Sequence, residues 1–389
     1  VAGAGHAHRI VKVSGDWLSA APTQAVLGML EAGGHCAYAV GGCVRNALMG
    51  VPVSDVDIAT DAHPERVVTL ARAAGLKPVP TGIDHGTITV VADGIGHEVT
   101  TFRADVETDG RRAVVRFSTH VDEDAQRRDF TMNALYADAR GQVLDPVGGL
   151  PDLTARRVRF IGDAGARIRE DYLRIRRFFR FVAWYGDPAL GMDPDALAGI
   201  ADGLDGLQTL SAERVGQELV KLLGAPDPAP AVGCMAQIGA LARVLPGAVP
   251  DALGPLVHME QGAGLAPDAL RRLAVLGADG TGLRLSRQQQ KRLASYREAM
   301  GQDNIAETAW RHGAGFARDV AALRAASLGT PLSGEIDALI AQGAAAVFPV
   351  KPRDLMPDLQ GAELGKALKQ LETRWIASGF TLTKEDLLA

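Results

Sequence analysis

The sequence predicts an α+β chain with a mixed head followed by an all-helical neck and body. Two observations predict it. Over roughly the first 150 residues, short β-branched runs alternate with helical ones. From about residue 163 onward almost every segment reads as helix, rich in Ala and Leu. The 389 residues suggest two or three domains, and such a chain buries enough surface to need neither disulfide nor metal to fold.

Composition narrows the class. With 47% hydrophobic and 22% charged residues the chain is globular, and no apolar stretch approaches the ~20 residues of a membrane span. Cys36, Cys43 and Cys234 form no CxxC pair, so a disulfide framework is not expected and a reducing, cytoplasmic compartment is. The first residues lack the basic and apolar regions of a secretory signal, and His6 and His8 read as part of a loose end. A net charge of −5 argues against a protein that coats nucleic acid indiscriminately. The charge is segregated, however: residues 156–180 hold nine arginines against three acids.

Taken in order, residues 36–40 predict a strand that ends at Gly41-Gly42, with a helix over 44–49. Residues 55–59 read as a second strand. Pro64 opens a helix through residue 74, with Asp61 or His63 near its cap. Residues 86–92 and 98–102 are β-branched and flank Asp93-Gly94, a hairpin signal. Residues 104–120 are polar and Arg-rich and read as a loop. Residues 164–183 predict one amphipathic helix, and Ser211 starts another that places Arg214 and Glu218 on one face. Three prolines make 224–233 a linker, and another break falls near Phe348-Pro349. There is no internal repeat.

Several residue groups could carry chemistry. Gly41-Gly42 before a helix lets backbone approach a phosphate at the helix N-terminus, although a plain strand-to-helix turn looks the same. It is not GxGxxG, so a dinucleotide fold is poorly supported. Asp55 and Asp57 would share one face of a strand. Two carboxylates about 4 Å apart repel by ~4 kcal/mol at an effective dielectric near 20, which a hard cation such as Mg²⁺ relieves. The alternative is a solvated acidic loop. Glu98, on a neighbouring strand, could add a third carboxylate or stand as an exposed edge residue. On a helix Asp129 and Asn133 would be i, i+4 neighbours offering an acceptor and an amide, or a helix start with its cap. Asp171 and Arg174 at i, i+3 could read one base edge, or form a surface ion pair.

Together and in this order the motifs resemble class II tRNA nucleotidyltransferases, the CCA-adding group, within a superfamily that includes bacterial poly(A) polymerases. The stretches are GGCVRNALMGVPVSDVDIAT (41–60), HEVTTFR (97–103), RRDFTMNALYAD (127–138), LDPVGGLPDL (144–153), REDYLRIRRFFRF (169–181) and SAERVGQELVKLL (211–223). The resemblance covers about half the chain and implies a nucleotidyltransferase head with a small mixed sheet. It makes Asp55 and Asp57 the Mg²⁺ carboxylates and Glu98 the third acidic position. It makes Gly41, Gly42 and Arg45 the triphosphate grip, and Arg128, Asp129 and Asn133 the ribose grip. Asp171 and Arg174 become the amino-acid template for CTP or ATP, supported by Arg214 and Glu218. One departure is Asn46, where the family usually has Asp.

The implied domains are an extension (1–25), a catalytic head (26–155), a neck (156–225) and an RNA-binding body (226–389). The implied function is addition of C, C and A to the tRNA 3′ end by Mg²⁺-dependent nucleotidyl transfer. The partners are the tRNA acceptor end, CTP and ATP, with no membrane and no obligate protein partner. RNA binding should weaken steeply with salt yet depend on few phosphates. A-only or CC-only addition stays open. A poly(A) polymerase is disfavoured because residues 366–389 hold four basic side chains against three acidic ones, no polybasic tail. From another class, a non-catalytic RNA-binding protein would have no reason to keep Asp55 and Asp57 together. A fused HD-type phosphohydrolase lacks even a His-Asp doublet.

Overall fold

The computed structural model describes residues 11–105, 115–356 and 358–389. His6 and His8, and most of the loop from Asp109 to Arg116, lie outside the described residues. The chain divides into two compact units, Val1–Glu218 with Ile238–Arg243, and Leu219–Gln237 with Val244–Ala389.

The first unit opens with α1 (Asp16–Ser19) and α2 (Ala21–Ala32), then β1 (Ala37–Val40), α3 (Gly42–Met49), β2 (Asp57–Thr60) and α4 (Pro64–Ala73). Next come β3 (Lys77–Gly82), β4 (Thr87–Ala92), β5 (Ile95–Thr101), β6 (Arg103–Asp105) and β7 (Val115–Phe117). Then follow α5 (Val121–Gln126), β8 (Tyr136–Ala137), β9 (Val143–Leu144) and α6 (Gly149–Thr154). Seven strands form one mixed sheet in the order β3-β4-β5-β2-β1-β8-β9. Its one parallel pair, β2 with β5, aligns Asp57 with Glu98 and Ile58 with Val99. Period-two alternation explains the sheet: Ile58, Val99 and Ile88 make a fully buried row, while Asp57 and Glu98 point to the opposite, open side. Helices α2 and α4 pack against the sheet. The β4–β5 turn has positive φ at both Asp93 (50°) and Gly94 (80°), the primed hairpin turn that this dipeptide predicts.

The neck helices are α7 (Ala164–Glu170), α8 (Leu173–Tyr185), α9 (Pro194–Asp202) and α10 (Ala212–Leu223). Phe130, Phe160, Phe178 and Phe181 cluster with ring centroids 4.7–6.3 Å apart.

The second unit is helical. Trp375 packs against Trp310, Phe348 and Phe380 near its C-terminal end. Elsewhere in it the buried carboxylate of Glu260 bridges Arg271 (2.8 Å) and Arg272 (2.7 Å), and Arg271 also meets Asp319 (2.6 Å). Arg272 further donates to the carbonyls of Leu223 (2.7 Å), Ala225 and Pro226, capping the C-terminus of α10.

Five local expectations are corrected. Asp55 precedes β2 instead of lying on it. Residues 104–120 are not all loop, because β6 pairs with β7. Residues 129–133 do not form an α-helix: Ile161 N–H donates to Asp129 O, and Thr131 N–H to Arg159 O, so the segment zips onto 159–161 before a short 3-10 turn. The stretch 164–183 is two helices, broken where Asp171 turns extended and its side chain accepts from Leu173 N–H (3.0 Å). The linker is shorter than 224–233, since a helix Ala229–Gln237 begins with Pro230 in its first turn, where no N–H is needed.

Candidate active site

Asp57 and Glu98 stand side by side on neighbouring parallel strands, both solvent-accessible. The partial desolvation of its surroundings pushes the Asp57 carboxyl pKa up, and Glu98 and Asp55 push it further, against the pull of Arg128. That electrostatic need suits a divalent cation. Asp55 approaches from the preceding loop, its carboxylate accepting from Ser54 Oγ (2.9 Å). Among the described residues no three acidic, His or Cys side chains converge as a ready-made metal site. Asp55, Asp57 and Glu98 therefore form a pair with a third member nearby, and a cation there would rely on further oxygen ligands from substrate and water.

Gly41 turns the chain from β1 into α3 at φ 73°, a conformation that favours glycine. The same turn sits against Arg128 and Asn133, with a Cβ at Gly41 falling 3.5–3.7 Å from their atoms. Gly42 is the first residue of α3. Arg45 is 5% exposed and bonded on every side: to Asn133 Oδ1 (2.7 Å), Asn46 Oδ1 (2.9 Å) and Tyr185 Oη (2.8 Å), with the Tyr185 ring 3.9 Å from its guanidinium. It organises the turn and leaves little of its fork for a triphosphate.

Arg127 and Arg128 grip opposite oxygens of Asp124, a buried carboxylate on α5 (2.7 and 3.0 Å), which also accepts from Tyr136 Oη (2.8 Å). Burial alone would raise the Asp124 pKa; the two guanidiniums and the hydroxyl outweigh it and hold the carboxyl at about 2. Asp129 accepts from Arg177 (2.6 Å), Phe130 N–H (2.9 Å) and, more weakly, Asn133 Nδ2 (3.4 Å). Burial again opposes, and Arg177 holds the Asp129 carboxyl below the usual range. The expected Asp129–Asn133 meeting thus occurs without the helix.

Asp171 and Arg174 are not paired through their side chains. Asp171 accepts from Arg214 Nη2 (2.9 Å), while Arg174 binds Glu170 and donates to the carbonyls of Arg167 (2.8 Å) and Arg127 (3.1 Å). Arg174 therefore touches the segment that carries Arg128. Glu218 pairs with Arg180 (2.6 Å). A cavity of about 380 Å³, lined in part by Arg116, Gln126, Arg127 and Arg167, opens beside the two residues whose carbonyls hold Arg174.

Asp124, Tyr136, Arg177 and Tyr185 were not foreseen as members of the site. Asp124 was findable, three and four residues before Arg127 and Arg128. The other three join through tertiary contacts with no local signal. The basic stretch also reads differently in three dimensions: Arg159, Arg167, Arg169, Arg174, Arg177 and Arg180 each face a carboxylate.

Comparison with known proteins gives three findings. Residues 37–159 match the Poly A polymerase head domain, and residues 190–251 match the family described as probable RNA and SrmB-binding site of polymerase A. The CCA-adding enzyme of Geobacillus thermodenitrificans (strain NG80-2) is 41% identical over 231 residues, 58% of this chain and 55% of its own length. The mitochondrial CCA tRNA nucleotidyltransferase 1 of Homo sapiens is 43% identical over 184 residues, 47% of this chain and 42% of its own. The chain thus spans about half the length of the curated relatives it matches. The crystal structure of the Bacillus stearothermophilus CCA-adding enzyme in complex with CTP superposes with a TM-score of 0.71 at 28% identity, covering 92% of each chain. The Thermotoga maritima CCA-adding enzyme complexed with tRNA shares the fold at a TM-score of 0.66 and 19% identity, over 94% of this chain and 93% of its own. The resemblance read from the motifs thus holds in sequence and in fold, with residues 37–159 matching the Poly A polymerase head domain.

Proposed function

We propose that the protein is an enzyme that adds C, C and A to the 3′ end of tRNA from CTP and ATP, with Mg²⁺ held by Asp55 and Asp57. The observation that carries this reading is the solvent-accessible Asp57–Glu98 pair, set on parallel strands in the head that holds the Gly41-Gly42 turn. Mg²⁺, when bound, supplies Lewis-acid activation of the tRNA hydroxyl and charge neutralisation of the departing pyrophosphate. Glu98 stands next to Asp57, where it can take the proton of the attacking 3′-hydroxyl. The glycines at 41 and 42 let backbone approach a phosphate at the start of α3, and Arg45 holds that turn. Arg128 lends positive charge next to Asp57, while Asn133 offers its amide to the ribose and Asp129, held by Arg177, orients that amide. Orientation of a bound nucleotide and fixed charge supply most of the catalysis in this chemistry.

Nucleotide choice is assigned to Asp171 and Arg174, held by Arg214 and by Glu170. Their separate anchoring suits a pair that reads a base without closing on itself. Glu218, through Arg180, supports α8. The head spans 26–155, the neck 156–225, and the body from 226 onward holds the tRNA acceptor end by shape and phosphate contacts. The solved relatives carry CTP in one case and tRNA in another, in agreement with both substrate classes. Three free thiols suit a cytoplasmic setting, and among the described residues no helix is long and apolar enough to cross a membrane.

Asp57→Ala separates this reading from a catalytically idle RNA-binding protein. Nucleotide incorporation should disappear while tRNA binding in a filter assay persists. Unchanged incorporation would refute the carboxylate assignment.

A further inference from the structure

Residues 51–55 lead from α3 towards β2 and carry Asp55, yet they belong to no strand. Among the described residues, two hydrogen bonds tie this segment back to the head, and both end on Asn46. Val51 N–H donates to the Asn46 carbonyl (3.0 Å), and Asn46 Nδ2 donates to the Pro52 carbonyl (3.0 Å). Asn46 Oδ1 meanwhile accepts from Arg45 Nε (3.2 Å) and Nη2 (2.9 Å). The amide has one orientation that satisfies both neighbours. A guanidinium only donates, so the oxygen must face Arg45, and a carbonyl only accepts, so the NH₂ must face Pro52.

We propose that Asn46 is a positioning residue that fixes Asp55 relative to Asp57 by tethering the segment before β2 to the buried Arg45. The inference rests on reading Asp55 and Asp57 as the cation-binding pair. An ionised aspartate at this place could hold Arg45 with a charge, but it would turn an acceptor towards the Pro52 carbonyl and lose the tether. The neutral side chain therefore does two jobs, and only one of them survives substitution by an acid. Asp55 depends on the tether more than Asp57 does, because Asp57 is already fixed by its ladder with Glu98.

Asn46→Asp and Asn46→Ala separate the two jobs. Amide hydrogen exchange at Val51, the hydrogen-bonded amide of this segment, should speed up about three- to tenfold in both variants, the range expected from losing one net hydrogen bond. Mn²⁺ affinity of the full chain, read by water-proton relaxation without turnover, should weaken in both by a similar factor. The KM for CTP should rise only in Asn46→Ala, where Arg45 also loses its acceptor. Wild-type exchange at Val51 in Asn46→Asp would overturn the tether. Faster exchange with unchanged Mn²⁺ affinity would overturn the placement of Asp55. The exchange and Mn²⁺ measurements need no turnover, so a wild-type chain that incorporates no nucleotide would refute the proposed activity and leave this inference to be decided by those two readings.

Discussion

Asp57 and Asp124 sit in one head with opposite electrostatic lives. The Asp57 pKa is raised by partial desolvation and by Glu98 and Asp55. A raised folded-state pKa contributes stability that is fully present below the unfolded carboxyl value and is lost as pH rises through the folded one. At neutral pH the ionised Asp57 is therefore a strain on the metal-free fold. Asp57→Asn should raise the metal-free Tm, abolish the Tm increase caused by divalent cations, and lower turnover by about 10²–10³-fold or more. A lower metal-free Tm in a calorimetric scan would contradict the account. Asp124, held at about 2, behaves in the other sense: its stabilisation is present above the unfolded carboxyl pKa and vanishes as pH falls through the folded one. Asp124→Ala strands two guanidiniums and should cost about 3–5 kcal/mol in urea unfolding at pH 7. A cost that stayed constant from pH 6 down to about 2 would refute the linkage.

At the scale of elements, what was legible followed from local chemistry. Asp93-Gly94 marked its hairpin because both turn residues need positive φ. The strand–turn–helix at Gly41 was legible for a similar reason. The break between α7 and α8 was not, because residues 164–183 are uniformly helix-compatible and a single Asp171 side chain interrupts them by capping Leu173 N–H. Residues 129–133 carried a helical spacing that pairing with 159–161 overrode. That Arg214 supports the Asp171/Arg174 pair was implied by the resemblance, but its bond to Asp171 alone, with Arg174 turned to Glu170, was not legible. That ion pair is half exposed and should contribute no more than about 1 kcal/mol to stability. Arg214→Ala should accordingly leave the Tm nearly unchanged while altering the ratio of C to A incorporated opposite the same primer. An unaltered ratio would remove Arg214 from nucleotide selection.

Across the whole molecule, the charge count of residues 156–180 overstated the surface available to RNA. Six of its nine arginines face carboxylates within the fold, an outcome no count of residues reveals. The tRNA affinity should therefore fall only about tenfold between 50 and 200 mM salt, the slope of roughly two phosphate contacts. A loss of about 10³-fold or more, as for six phosphates or above, would show that a larger basic surface engages the RNA. The helical body was legible as helix from its Ala- and Leu-rich composition. Its buried Glu260–Arg271–Arg272–Asp319 network was not, because no local spacing pairs Glu260 with the two arginines and Asp319 joins from a distant helix.

The central claim is best tested by primer extension with Mg²⁺ and labelled CTP or ATP, on tRNA ending at the discriminator base, at C and at CC. The expected product carries two C residues and then a single A, with synthesis stopping there. A product ending after one type of nucleotide would make the protein a partial-adding enzyme, a long A tail would make it a poly(A) polymerase, and no incorporation from any primer would contradict the catalytic reading of Asp55, Asp57 and Glu98 altogether.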